Sequence, residues 1–287
     1  MESLGTKRKF WQTYDNTRTL FKIGRPGTGE NWAEKIACEL ARLMGLPHAE
    51  YELARFGETC GINSPSFLKP DVHDLIQGNI LLFEKIPNYP DNSEGGFYGL
   101  KDYQLSRVLE LISKSDFALP LGYPKNQVIQ CAVDVFIGYI VFDCWIANQD
   151  RHHENWGIIY DKTNDQRYLA PTYDHASSLA CRMSIAECTE RLNTNDRYRS
   201  VAHFAAKAKS PFFSESGEKL KTLQCVAYIM QKYPEVCGFW INQIQRISEQ
   251  GIQDVFEHMP ADWMKTENKQ LVMKLLKENK KRLVELC

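Results

Sequence analysis

Asn148-Gln149-Asp150-Arg151-His152-His153-Glu154-Asn155 is the stretch around which this 287-residue chain is organised. Asp150 and Asn155 stand five apart, an interval that puts a carboxylate and an amide at opposite ends of one turn. An apolar run from Val128 to Ala147 leads in, and two strand-like runs, Trp156 to Tyr160 and Arg167 to Ala170, lead out. A second acid, Asp174, follows in Pro171-Thr172-Tyr173-Asp174-His175. A carboxylate able to accept a proton, with an amide oxygen and a further carboxylate able to hold a hard cation, is the equipment of phosphoryl transfer.

The whole chain bounds that reading. A hydrophobic content of 43% and a charged content of 25% describe an ordinary globular protein, long enough for one large domain or two lobes around a cleft. The formal net charge of -1 gives no electrostatic case for nucleic-acid binding. The nine cysteines are scattered without a CxxC pair, which argues against a zinc ribbon and a disulfide framework and for a reducing, cytoplasmic setting. The start, Met1 to Gly5, lacks the apolar core of a signal peptide. Val128 to Ala147 is apolar enough to be a membrane candidate, but Asp134 and Asp143 make a buried helix in a soluble core the better reading. No membrane association is expected.

Taken in order, Gly5-Thr6-Lys7-Arg8-Lys9-Phe10-Trp11 sets a glycine before three basic residues. Backbone N–H groups and lysines suit phosphate oxygens, and a plain basic tail is the competing reading. Thr19 to Ile23 reads as a strand carrying Lys22, an edge-strand solubiliser unless it faces a cleft. Gly24 to Gly29 matches neither GxGxxG nor a Walker loop and is taken as a flexible crossover. Asn31 to Met44 is predicted as a helix, with Asn31 as N-cap and Glu34 closing a capping box or pairing with Lys22.

Tyr51 to Arg55 and Leu68 look like strand material around a turn-rich piece, Gly57 to Pro65. Ile80 to Ile86 is predicted as an apolar strand running out into Pro87-Asn88-Tyr89-Pro90, a connection whose backbone, around Glu84 and Ile86, suits an adenine edge. Asp91 to Gly99 is the most loop-like segment and sets the expected boundary. Residues 1–90 are expected to form a small, β-rich nucleotide-binding N-lobe with one helix, and 91–287 a helical C-lobe. Helices are expected at 102–114, 125–147, 219–232, 237–249 and 267–285. Strands early and helices late make an α+β fold.

Phosphoryl transfer is mostly positioning and charge neutralisation, so few parts are required. Asp150 can orient an acceptor hydroxyl and take its proton. Asn155 and Asp174 offer the oxygens that Mg²⁺ prefers. Lys22 supplies a cation near the phosphates. Asp134 and Asp143, inside the apolar run, are expected to be capped or paired structural acids.

Asp150-Arg151-His152-His153-Glu154-Asn155 matches the D-R-H-x-x-N pattern of phosphatidylinositol kinases and of HipA-like serine/threonine kinases. The wider chain, from about Gly5 to Ser178, resembles the HipA-like group. By that resemblance Gly5, Thr6, Lys7 and Lys9 stand for its phosphate loop, Lys22 for its ATP-binding lysine, Glu34 for its helix glutamate, Leu82 to Ile86 for its hinge and Tyr173-Asp174 for its metal-binding step. The resemblance implies a bilobal protein-kinase-like fold and transfer from ATP, with Mg²⁺, to a serine or threonine of a protein. His152 stands where ordinary protein kinases have a lysine, and can touch the transferred group when suitably oriented or protonated. His175-Ala176 replaces the usual Phe-Gly after the metal aspartate. Only four residues precede Gly5, so the N-terminal subdomain of longer HipA-like toxins is expected to be missing.

Family members with assigned targets modify aminoacyl-tRNA synthetases, and several phosphorylate themselves. An aminoacyl-tRNA synthetase or other translation factor as substrate, and an antitoxin-like partner, are therefore implied by resemblance alone. Ser177, Ser178, Ser184 and Thr189, after Asp174, and Ser3 and Thr6, near the phosphate loop, are the candidate self-modification positions. A lipid or small-molecule kinase and a nucleotide-binding pseudokinase or scaffold stand as alternatives. A metallohydrolase built from His152, His153, Glu154, Asp174 and His175 is the alternative from a different chemistry.

Overall fold

The structure, a computed structural model, describes residues 8–14, 17–90 and 99–287. Gly5, Thr6 and Lys7, the candidate acceptors Ser3 and Thr6, and most of the loop expected at 91–99 lie outside the described residues. The chain is α+β, with its largest sheet at the beginning and most of its helices after residue 99.

That first sheet contains β1 (Lys9–Tyr14), β2 (Thr17–Lys22), β3 (Glu52–Phe56) and β4 (Thr59–Pro65) in the order β1-β2-β4-β3, antiparallel throughout. Gly57 to Pro65, expected as turn, is mostly the inner strand β4. Its glycine has a packing reason: a Cβ on Gly61 would stand 2.5 Å from the Lys22 carbonyl oxygen and 2.6 Å from the Phe21 ring. Lys9 lies directly across β1–β2 from Lys22, so both lysines project from one face of the sheet.

Helix α1 (Glu30–Met44) turns Trp32, Ala33, Ile36, Ala37, Leu40 and Met44, an apolar stripe at helical spacing, into the main core shared with the later helices, and packs Cys38 with Tyr51 and Ile62 on the side of this sheet. The expected capping box does not form. Gly29 is the N-cap, and the Asn31 side chain turns back to accept the Gly24 N–H at 2.9 Å, which leaves Glu34 for other work. The Gly24–Gly29 connection is pinned on both sides. Arg25 bonds Glu30 through backbone and side chain, and the Gly29 N–H donates to the Cys181 carbonyl at 2.7 Å.

Ile80 to Ile86 is not a strand. Gly78–Lys85 forms α2, with Gly78, Leu81 and Leu82 buried and Phe83, Glu84 and Lys85 exposed. A seven-residue apolar run does not distinguish strand from helix, and burial here follows the helical period. The strand comes just before, as β5 (His73–Gln77). It pairs with β6 (Gly157–Asp161), which pairs with β7 (Gln166–Leu169), so a sheet spans the boundary expected near residue 90.

In the helical part, α3 (Leu105–Lys114) flanks α4 (Ala132–Trp145), every residue of which is buried. This explains its unbroken apolar composition. The expected helix began at 125, but residues before 132 are turned by Asn126, whose side chain accepts from the Val128 and Ile129 N–H groups. Asp134 caps α4 by accepting from Gln130 N at 2.8 Å and Cys131 N at 3.0 Å. At its far end Trp145 Nε1 donates to Leu276 O, and Asn279 donates to Trp145 O, both from α10 (Thr266–Val284). Around this axis lie α5 (Ile185–Asn193), α6 (Val201–Lys207), the β8 (Lys209–Phe213) and β9 (Lys219–Lys221) hairpin, α7 (Thr222–Lys232), α8 (Pro234–Arg246) and α9 (Glu249–Glu257). The helix expected from 219 thus opens with a short strand, and α5, α6 and β8 were not foreseen. None of the nine cysteines is in a disulfide, and six are buried, as small apolar groups would be. Among the described residues no helix is long and apolar enough to cross a membrane.

Candidate active site

Two residues beyond the end of helix α4, Ala147, with a φ of 53°, turns the chain sharply into the Asn148–Asn155 loop. The loop is folded around one acceptor, the Asp150 carbonyl, which receives the His152 N–H at 2.8 Å and Asn155 Nδ2 at 2.6 Å. Asn155 therefore spends its amide nitrogen inside the loop and presents its oxygen on the other side. Asn148 Oδ1 accepts the Asp150 N–H at 3.2 Å. These bonds convert a five-residue spacing into a rigid clasp, with Asp150 half-buried at its mouth.

Arg151 anchors the clasp from beneath. Its fully buried guanidinium bonds both oxygens of Asp143 at 2.8 Å, the Asn155 carbonyl at 2.7 Å and His175 Nε2 at 3.0 Å. Burial and the Arg151 charge hold the His175 imidazole well below its ordinary pKa, so it is neutral and accepts from Arg151 through Nε2. The expectation that Asp134 and Asp143 are a capped and a paired acid is met by these contacts.

The second cluster joins the sheet to the downstream acid. Lys22 Nζ lies 2.8 Å from Glu34 Oε1 and 3.2 Å from Asp174 Oδ1. Burial opposes its charge, but Asp174 and Glu34 outweigh that and hold the ammonium well above its ordinary pKa. The other oxygen of Glu34 accepts the His175 N–H at 2.8 Å, and Tyr51 Oη accepts the Asp174 N–H at 3.1 Å. These two bonds fix Asp174 in a left-handed conformation, φ 57°, which aspartate tolerates better than most residues. Of the two readings of Glu34, pairing with Lys22 is the one the structure adopts.

His152 is half-buried, and its Nδ1 accepts the Glu154 N–H at 3.3 Å. Burial lowers its pKa against the pull of Asp150 and Asp174, so near neutrality it is an uncharged ring with its proton on Nε2. It can donate one hydrogen bond but does not replace a lysine. Lys9 shares the face of Lys22, and its charge partly offsets the rise that burial imposes on Glu154. Glu84 and Ile86 stand apart: they line a cleft with Ile76, Arg107 and Arg167 that includes none of Lys22, Asp150 or Asp174.

The proposed metallohydrolase set does not converge. The His152 and His153 ring centres are 6.3 Å apart at 85°, His153 turns to Tyr89 Oη at 2.7 Å, and His175 is held by Arg151 and Thr172. Among the described residues, the three-ligand cluster with metal-binding spacing is Cys38, His48 and Glu50, and there Arg42 already supplies the cation.

Tyr51 and Arg151 were not read from sequence as contributors, and Ser177 was read only as a candidate self-modification position. Tyr51, Arg151 and Ser177 touch the machinery through contacts between distant elements or across a turn. Arg151 carried a signal, since an arginine beside Asp150 and eight residues after a helix-buried acid is placed to pair with it.

Known proteins share parts of this sequence and the fold. Residues 102–235 match the family model for the HipA-like C-terminal domain. A Sinorhizobium fredii protein named "Putative kinase Y4dM" is 23% identical over 206 residues, covering 65% of this chain. The chain matches 48% of that relative's length, about half of it. The crystal structure of the Helicobacter pylori proinflammatory kinase CtkA superposes with a TM-score of 0.73 at 20% identity, over 97% of this chain and 92% of that one. A chain of the Shewanella oneidensis MR-1 toxin–antitoxin complex of HipA, HipB and operator DNA superposes with a TM-score of 0.60 at 14% identity, over 99% of this chain and 65% of that one. Residues 102–235 thus resemble a HipA-like C-terminal domain, and the chain as a whole shares the fold of these structures.

Proposed function

We propose that this chain transfers the γ-phosphoryl group of ATP to a serine or threonine hydroxyl of a protein, using Mg²⁺. The observation that carries this reading is the buried Lys22–Glu34–Asp174 contact, set beside the Asp150–Asn155 clasp. A buried lysine kept charged by two acids is suited to neutralising phosphate oxygens. The donor set fits Mg²⁺, because the Asn155 amide oxygen and the Asp174 carboxylate are hard ligands. When bound there, the metal would offset the negative charge of the phosphate oxygens. Asp150 orients the acceptor hydroxyl and takes its proton. The neutral His152 donates through Nε2 to a phosphoryl oxygen. Lys9, on the face of Lys22, serves the phosphates, Gly5, Thr6 and Lys7 belong to the phosphate loop by resemblance alone, and residues 1–90 form the nucleotide lobe and 91–287 the catalytic lobe.

The family likeness supports a protein as acceptor, with an aminoacyl-tRNA synthetase or other translation factor as one candidate class. The Shewanella HipA was solved with HipB, which makes an antitoxin-like protein the partner class to test first. Self-phosphorylation and a cytoplasmic location belong to the same reading.

The test is incubation with labelled ATP, Mg²⁺ and acceptor proteins. Wild type transfers label to serine or threonine. Asp150→Ala loses transfer but keeps the rise in melting temperature that MgATP produces, whereas Asp174→Ala loses both. Transfer only to a lipid or metabolite would overturn the protein-kinase reading. A nucleotide-dependent rise in melting temperature without any turnover would identify a pseudokinase.

A further inference from the structure

Among the candidate self-modification positions after Asp174, one touches the catalytic loop. Ser178 is buried, Ser184 caps α5, and Thr189 donates to the Ile185 carbonyl within α5. Ser177 instead donates its hydroxyl proton to Asp150 Oδ2 at 3.1 Å. Arg182 Nη2 donates to the same Ser177 oxygen at 2.9 Å. A hydroxyl has one proton, and with a guanidinium N–H facing its oxygen that proton is directed at the carboxylate.

The backbone between these residues is built for the contact. Leu179 and Ala180 both adopt left-handed φ, 55° and 53°, which two consecutive non-glycine residues take up only at a cost. The turn is held by bonds from outside it. The Leu179 N–H donates to Ile146 O at 2.8 Å, at the end of α4, and the Cys181 carbonyl accepts the Gly29 N–H at 2.7 Å. The turn brings Arg182 back over Ser177 and within 3.7 Å of Glu30 Oε1, on the first residue of α1. Glu30 also holds Arg25, so the chain of contacts runs from the Gly24–Gly29 connection through Glu30, Arg182 and Ser177 to Asp150.

We propose that Ser177 is a positioning residue for Asp150, and that Arg182 couples its position to the start of α1. This rests on the reading of Asp150 as the group that orients the acceptor. The terminal torsion of an aspartate is broad, so one bonded oxygen fixes the carboxylate plane. A neutral donor does this while leaving the carboxylate its charge, which the acceptor proton requires. Because Arg182 reaches both Ser177 and Glu30, a shift of α1 against the helical part would be felt at Asp150.

The experiment measures MgATP-dependent ADP formation, with and without casein as acceptor protein, so that slow transfer to water is also counted. Ser177→Ala is expected to lower kcat by roughly a hundredfold, the size of effect that ångström-scale misplacement of a reacting group produces. KM for ATP and the MgATP-induced rise in melting temperature should stay within about twofold of wild type, because the nucleotide contacts lie elsewhere. Ser177→Thr should restore most of kcat, and Arg182→Ala should lower kcat in the same direction but less. Wild-type kcat in Ser177→Ala, or failure of Ser177→Thr to rescue it, would overturn the proposal while the kinase reading stood. A phosphate found on Ser177 by intact-mass and fragment spectra would make it an acceptor and overturn the positioning role. ADP formation that is absent, or indifferent to Asp150→Ala, would remove the kinase reading and this proposal with it.

Discussion

Asp143 and Arg151 meet through two N–H···O bonds of 2.8 Å, Nε to Oδ2 and Nη2 to Oδ1, with both side chains buried beneath the catalytic loop. The carboxylate belongs to α4 and the guanidinium to the residue after Asp150, so the pair carries the position of the fully buried helix to the loop that holds Asp150. Arg151→Met leaves a buried carboxylate without its cation, and such losses cost about 3–5 kcal/mol. The expected result is a fall in melting temperature of roughly 10 °C by calorimetry. The double variant Asp143→Leu with Arg151→Met should be more stable than Arg151→Met alone, since no unpaired charge remains.

Lys22 is expected to separate nucleotide binding from folding. Lys22→Met should abolish most of the melting-temperature rise given by MgATP, a rise worth about 2.7 kcal/mol at a hundredfold excess over Kd. Glu34→Gln should reduce that rise less, because the amide can still accept the His175 N–H that helps place Asp174. Thermal-shift titrations of the two variants check the order.

Stability should fall between pH 7 and pH 5. Burial pushes the His153 pKa down to about 4, and burial with the Arg151 charge pushes that of His175 well below its ordinary value. Both rings are neutral in the fold but take up protons near pH 6.5 once unfolded. The unfolded state therefore binds more protons in this window, so stability rises with pH. The contribution is complete above about 6.5 and is lost as the pH falls towards the folded values. Melting temperatures across pH 5–8 should show this slope, and His153→Gln should flatten it.

What was legible in the sequence was what lies close along the chain or repeats with a period. Asp150 and Asn155 are bonded through the backbone that separates them, so their spacing carried the clasp. The stripe on α1 and the unbroken apolar run of α4 carried their burial. Order along the chain sufficed for Lys22, Glu34 and Asp174, which the fold brings into contact. The failures had other causes. Ile80 to Ile86 is too short and too apolar for its period to be read, and Asn31 met the composition of an N-cap while bonding backwards to Gly24. Ser177 reaches Asp150 across 27 positions, and the Ser177–Arg182 contact depends on two left-handed residues, Leu179 and Ala180, whose identities give no sign of that conformation.

Gly78 tests how tightly the start of α2 is packed against the catalytic loop. A Cβ there would stand 2.2 Å from the Trp156 ring and 2.6 Å from the His153 carbonyl oxygen, and backbone at that distance cannot yield cheaply. Trp156 Nε1 donates to Tyr103 Oη at 3.0 Å, and Tyr103 Oη donates to the Arg151 carbonyl at 2.9 Å. A displaced indole would therefore pull on the loop one residue from Asp150. Gly78→Ala is expected to cost about 1–3 kcal/mol in stability by overpacking. It should also lower turnover at temperatures where the variant remains folded. Gly238→Ala is the matched control, because its added methyl on α8 meets nothing within 4 Å. Alanine there should stabilise by about 0.4–1 kcal/mol through the unfolded chain, leaving turnover unchanged. If Gly78→Ala kept full turnover after losing stability, the route from α2 through Trp156 and Tyr103 to the loop would be packing without consequence for the chemistry.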